Sequence, residues 1–305
     1  MELQSSEMLN WTELIDKDMF GYFFKEGTIN ITRFHRLSML IPFSEIQILE
    51  RARELNVSCC DSLVEVFESV EEVTKKRNVT SQYHLQKMTL KDLPRLSRIW
   101  KHNIAEFVSF QNLTEIEVFD CPNLRSLFSH SMARILVQLQ RIIVQNCEMM
   151  EEIITMEGES IKGGNKVKIL FPKLEELTLE FLPKLKCVCS GDYDYDIHLC
   201  TVEEDKEFNN NDKVLISFPQ LKELSFRVVP ELKCFCSGVY DYDIMVSSTN
   251  ECPNMRTFPH GNVIVNTPSL HKVYWNWDDI QTLGDLNLTI YYVLNSEKYK
   301  VQTHT

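Results

Sequence analysis

One spacing of apolar residues recurs along this 305-residue chain and leaves few folds open to it. The template is L-x-x-L-x-L-x-x-(C/L)-x-x-L. It reads Ala52, Leu55, Val57, Cys60, Leu63, then Leu85, Met88, Leu90, Leu93, Leu96, then Leu113, Ile116, Val118, Cys121, Leu124. It returns as Leu139, Ile142, Val144, Cys147, Met150, as Leu174, Leu177, Leu179, Leu182, Leu185, and as Leu221, Leu224, Phe226, Val229, Leu232. Repeats of this length bury their apolar faces only by stacking on one another, so the chain is expected to form a solenoid with a long curved surface.

The spacing carries its own structural logic. An alternation such as Leu177-Thr178-Leu179 is a short strand with one face inward. Three residues later comes the slot that in many leucine-rich repeats holds an Asn bonding exposed backbone. Here Cys60, Cys121 and Cys147 fill it, and Leu93, Leu182 and Val229 elsewhere. An apolar side chain there cannot satisfy the turn backbone. Pro94, Pro122, Pro183 and Pro230 follow directly and end the strand, since proline lacks an N–H. The fold class expected is an α/β solenoid. It is an irregular leucine-rich repeat horseshoe with a parallel sheet on the concave face and mostly loops and short helices on the convex side.

The organisation follows from where the pattern breaks. Residues 1–33 form an irregular segment, entered mid-repeat. Phe34, Leu37 and Met39 are aligned with strand positions of a first coil, and the solenoid is assigned to 34–284. Val64 to Ser81, charged, is expected to be a helix running into a loop. Insertions are placed at about 156–168, where Gly163-Gly164-Asn165 has turn chemistry, and at about 190–213, a polar stretch. Phe171 to Ile197 recurs as Phe218 to Ile244, a duplicated coil in which both copies carry Cys-x-Cys-Ser-Gly-x-Tyr-Asp-Tyr-Asp-Ile. Leu270, Val273 and Trp275 give a last strand, and 285–305 a closing segment and tail.

Charge and motifs narrow the function. The net charge of −12 argues against nucleic-acid or anionic-membrane binding. No apolar run approaches the ~18 residues of a membrane span, and Met1 to Glu7 lacks the opening of a secretory signal. A cytoplasmic chain is expected, with its Asn-x-Ser/Thr triplets fortuitous and its turn-slot cysteines buried thiols. Asp192, Asp194, Asp196 and Glu203 have the outer spacing of a calcium loop, but Ile197 stands where the loop needs Gly. The pairs Cys187/Cys189 and Cys234/Cys236 are C-x-C, without the C-x-x-C spacing of zinc sites. Neither catalytic nor nucleotide-binding motifs are found. The expectation is no enzyme, no cofactor and no metal.

What remains is the outward side of the strands. The candidate partner-binding face is Lys87, Lys91, Glu115, Glu117, Phe119, Arg141, Ile143, Glu176, Glu180, Phe181, Lys222 and Arg227, with Asp120 also outward. It is read as an acidic band holding Phe119, Ile143 and Phe181 between basic flanks. Aromatic residues ringed by charge are the composition of an interface core.

Phe110-Gln111-Asn112-Leu113 through Cys121-Pro122-Asn123-Leu124-Arg125-Ser126-Leu127-Phe128 resembles the repeats of a known family. So do Cys147 to Ile154, Phe171-Pro172-Lys173-Leu174, Cys252-Pro253-Asn254-Met255-Arg256-Thr257-Phe258 and Gly284 to Ile290. The family is the plant coiled-coil, nucleotide-binding, leucine-rich-repeat disease resistance proteins, and the likeness covers about Phe34 to Tyr299. It implies protein recognition in defence: the repeats sense a pathogen effector or a modified, guarded host protein, and contact the receptor's nucleotide-binding module. That module and the coiled coil are not in this sequence, so binding, not signalling, is what the chain alone is expected to do. The alternatives are a repeat-only adaptor for ubiquitin-ligase substrate selection and a truncated, non-functional receptor remnant.

Overall fold

The computed structural model describes residues 24–25, 27–41, 49–67, 83–100, 110–155, 167–169, 171–190, 214–233, 235–237, 259–260, 263–275 and 278–281. The far N-terminus, most of 156–168, the polar insertion with its acidic run, and the closing segment 285–305 lie outside them.

Eight parallel strands, one per coil, stand side by side: Thr28–Thr32, Glu54–Ser58, Lys87–Lys91, Glu115–Phe119, Arg141–Gln145, Glu176–Glu180, Glu223–Arg227 and Lys272–Trp275. Phe24–Lys25 and Asp278–Gln281 add one antiparallel strand at each edge. Register is unbroken. Ile29, Leu55, Met88, Ile116, Ile142, Leu177, Leu224 and Val273 are successive partners, so the inward leucine positions of the template form a continuous apolar ladder. Every member is at most 1% exposed. A one-residue slip would turn the whole ladder to water, which is why alternation fixes the register. Truncating one member, as in Leu177→Ala, should cost about 3 kcal/mol.

The first coil begins earlier than its sequence suggested. Ile29 and Ile31 hold the strand positions, while Phe34 and Leu37 occupy the turn slots and Met39–Ile41 is a back strand. The charged stretch after Val64 opens as a strand, Glu65–Phe67, paired with Met39–Ile41, and not as a helix. Val66 and Phe67 are buried there, which a charged helix would not arrange.

The far side carries loops, one short helix among the described residues (His130–Ile135, capped by Ser129), and short parallel ladders. One joins Phe128–Ser129, Glu152–Thr155, Cys187–Ser190, Cys236–Ser237 and Pro259–His260. Another joins Val167–Ile169, Val214–Ser217 and Val263–Asn266. The duplicated Cys-x-Cys therefore has a structural use: Cys189 and Cys236 are register partners inside a ladder, both buried. The Phe that opens each coil, Phe110, Phe171 and Phe218, is buried. Its carbonyl accepts from the amide three residues on, that of Leu113, Leu174 or Leu221.

The turn slot works differently for Cys and Leu. Cys60, Cys121 and Cys147 each donate their thiol to the carbonyl two residues back, at 3.3, 3.3 and 3.5 Å. Where Leu93 and Leu182 stand, the backbone amide donates to the next coil instead, to Asp120 O and Val228 O. The stack satisfies what the side chain cannot.

Candidate functional site

The outward positions of the strands fall into three rows across the concave sheet. The first row reads Glu54, Lys87, Glu115, Arg141, Glu176, Glu223 and Lys272. Its charges alternate along most of its length, and neighbours pair: Lys87–Glu115 at 3.3 Å, Arg141–Glu115 at 2.8 Å, Arg141–Glu176 at 3.0 Å and Lys272–Glu223 at 3.3 Å. The middle row is mostly uncharged: Asn30, Asn56, Thr89, Glu117, Ile143, Thr178 and Ser225. Asn56 donates to Asn30 at 3.0 Å, and Glu117 accepts from Thr89 at 3.2 Å and pairs with Lys87 at 3.0 Å. The third row, Thr32, Ser58, Lys91, Phe119, Gln145, Glu180 and Arg227, ends in a cluster around Glu180.

All twelve residues proposed from the sequence thus lie on or beside this sheet face. Ten sit in the rows; Lys222 stands one residue before the first, paired with Glu175 at 2.8 Å, and Phe181 one residue after the third. The charge pattern differs from the expected acidic band between basic flanks. Acid and base alternate along most of the row and neutralise one another, because neighbours that are 26 to 49 residues apart in sequence become adjacent only when the coils align. Glu180 is also only 7% exposed, accepting from Gln145 at 2.9 Å and Arg227 at 3.4 Å, so it is part of the scaffold.

The electrostatics follow from these contacts. Burial opposes the charge on Glu115, but hydrogen bonds with Glu117 and Lys87 and the charge of Arg141 outweigh it and hold its carboxyl below the ordinary 4.5. Burial likewise works against Lys87, yet hydrogen bonds to Glu117 and Glu115 lift its ammonium above 10.5. A face so paired is nearly neutral, with half-buried Ile143 and Phe119 set into it.

A second feature borders the sheet. After each of the first seven parallel strands the chain turns through a left-handed residue: Arg33 (φ 63°), Cys59 (54°), Asp92 (54°), Asp120 (55°), Asn146 (57°), Phe181 (55°) and Val228 (50°). Asp and Asn tolerate this region; Val and Phe adopt it at a cost. The amides of Cys59, Asp92, Asp120, Asn146 and Phe181 donate to the neighbouring coil, extending the ladder one residue past the strands. Between these residues and the prolines that follow runs an open groove of about 790 Å³. Asp61, Asp92, Asp120 and Glu148 line it, as does Phe181, which at 38% is the exposed large apolar side chain among the described residues. The sequence had singled out Phe181 and Asp120 here, but not Asp61, Asp92 or Glu148. The available signal was their recurrence just before and just after the Cys/Leu slot.

Residues 3–148 and 139–204 match the family of plant disease resistance protein RPS2-like leucine-rich repeats. A putative disease resistance protein of Arabidopsis thaliana, At4g19050, is 26% identical over 176 residues, which are 54% of this chain and 14% of that protein. A probable disease resistance protein of the same plant, At5g47260, is 25% identical over 179 residues, 51% of this chain and 18% of that protein. The chain thus spans under a fifth of these relatives' length. No solved structure matches it. The matches do not favour a ubiquitin-ligase adaptor. No helix among the described residues is long and apolar enough to cross a membrane.

Proposed function

Since the chain belongs to the RPS2-like leucine-rich repeats of plant disease resistance proteins, we propose that its concave face is a cytoplasmic recognition surface that senses a pathogen effector or a modified host protein, without catalysis. The observation that carries this reading is the placement of Ile143. It sits half-buried in the middle row, with Glu117 and Thr178 as its register partners and the Arg141 ion pairs beside it. An apolar centre inside a charged rim gains most from being covered by another protein, and the paired charges keep the surface preorganised. In a complete receptor, a partner that prefers one state of the molecule would shift its population by its differential affinity.

The test is quantitative partner capture in plant tissue by the full chain, by Ile143→Glu with Phe119→Ala, and by Lys233→Glu as a control remote from the concave rows. Loss of the same captured proteins from the first variant, with retention by the control, supports the reading. Identical capture by all three counts against it.

A further inference from the structure

The groove at the strand ends has a polarity that the concave face lacks. Its carboxylates, Asp61, Asp92, Asp120 and Glu148, fall in four successive coils, and none of its lining residues is Lys or Arg. Beyond them the lining turns apolar, with Phe181 and Pro183 exposed. The backbone amides of the floor are spent on the neighbouring coils, so the groove offers few donors to an anion. Asp120 accepts from Asn146 at 2.9 Å and Asp61 contacts His35 at 2.7 Å, but each carboxylate keeps further lone pairs for a cation.

We propose that this groove docks an extended, two-part segment of a partner protein, its basic part over the four carboxylates and its apolar part against Phe181. The lining spans six coils, and at about 4.8 Å between strands this is ~24 Å, the length of about seven extended residues. The two-thirds of the lining that carries carboxylates sets where the lysines or arginines lie, and Phe181 sets where the apolar side chain lies. This docking adds a contact outside the concave rows and rests on the reading of the chain as a recognition domain.

The probe is a fluorescent peptide of about seven residues, about two-thirds lysine and arginine and the rest leucine, beside a counterpart with glutamates in place of the basic residues. Binding to the full chain is followed by anisotropy at about 0.05 M and about 0.5 M salt. Asp92→Asn with Asp120→Asn should weaken the basic peptide about tenfold at low salt, the difference shrinking at high salt where surface charges are screened. Asn suits the left-handed backbone at both positions, and Glu148→Gln, outside the ladder, is the second variant if the pair does not fold. Phe181→Ala should weaken binding about fivefold at both salts. Equal binding of the glutamate peptide, or basic-peptide binding unchanged in all these variants, overturns the docking. Such a failure leaves the Ile143 test of the concave face standing, so the two ideas are separable.

Discussion

Gln145 Nε2 donates to Glu180 Oε2 at 2.9 Å, across two parallel strands on which the two residues are direct register partners. Ser225 and Arg227 approach the same carboxylate from the far side, at 3.5 and 3.4 Å. Glu180 thereby joins three coils whose residues lie far apart in sequence. Removing its carboxylate takes away an acceptor of Gln145 and the ion pair with the half-buried Arg227, so Glu180→Ala should destabilise the chain by about 2 kcal/mol in a denaturant melt. Glu180→Lys should cost more. A melt unchanged by Glu180→Ala would show that the cluster is only a solvated surface contact.

Acid should loosen the stack in a definite direction. Glu115 lies below its ordinary 4.5, its burial outweighed by Glu117, Lys87 and Arg141. Glu151 does too, chiefly through its hydrogen bond from Lys186 at 2.7 Å. Both carboxyls take up a proton more readily in the unfolded chain than in the folded one. Their contribution is therefore present above 4.5 and lost as the pH falls through the depressed folded values. Glu115→Gln with Glu151→Gln should flatten the fall in the denaturant midpoint below that pH. Lys87 has the opposite sign: its contribution holds at neutral pH and is lost on rising past 10.5.

The left-handed turn residues give reciprocal expectations. Val228 sits at φ 50°, where a β-branched side chain crowds its own backbone, while Asn146 fills the equivalent place at φ 57° with a residue that tolerates it. Val228→Asn should stabilise the chain by about 1 kcal/mol, and Asn146→Val should destabilise it by a similar amount. Thermal melts of the two variants must move in opposite directions; a shift of the same sign in both would exclude the backbone explanation.

What the sequence makes legible is the inward half of each coil. Leu177 and Leu179 declare a strand because alternation needs no knowledge of neighbours, and the six template copies each prove to be a rung. The outward half is read one coil at a time, and there the information runs out. Glu115 looks like part of an acidic band until Arg141 and Lys87 are seen beside it, and Glu180 looks exposed until Arg227 covers it. The first rung escapes because Phe34 imitates a strand position, and Glu65 to Phe67 because charged residues around a short buried strand imitate a helix face. The groove is the product of register alone: Asp61, Asp92, Asp120 and Glu148 meet only when the coils stack.

Thiol labelling tests that stacking directly. Cys59 is half-buried, facing Asp92 with its sulfur 3.8 Å from the carboxylate, whereas Cys60, Cys121 and Cys147 are fully buried. The Cys121 thiol is pushed well above its ordinary 9.0, first by its hydrogen bond with Cys147 and then by burial; burial foremost raises that of Cys60. Alkylation needs an accessible sulfur, and the buried thiols offer none in the folded chain. At pH ~8, Cys59 should be modified in the native protein, and Cys121 and Cys147 at least about a hundredfold more slowly. Denaturant should release those two together, at the concentration where the whole chain unfolds, because each is walled by the coil above and the coil below. Site-resolved mass spectrometry reads the order. If Cys121 were alkylated as fast as Cys59 in the absence of denaturant, the neighbouring rungs could not be closed over it, and the concave rows and the groove built on that closure would go with them.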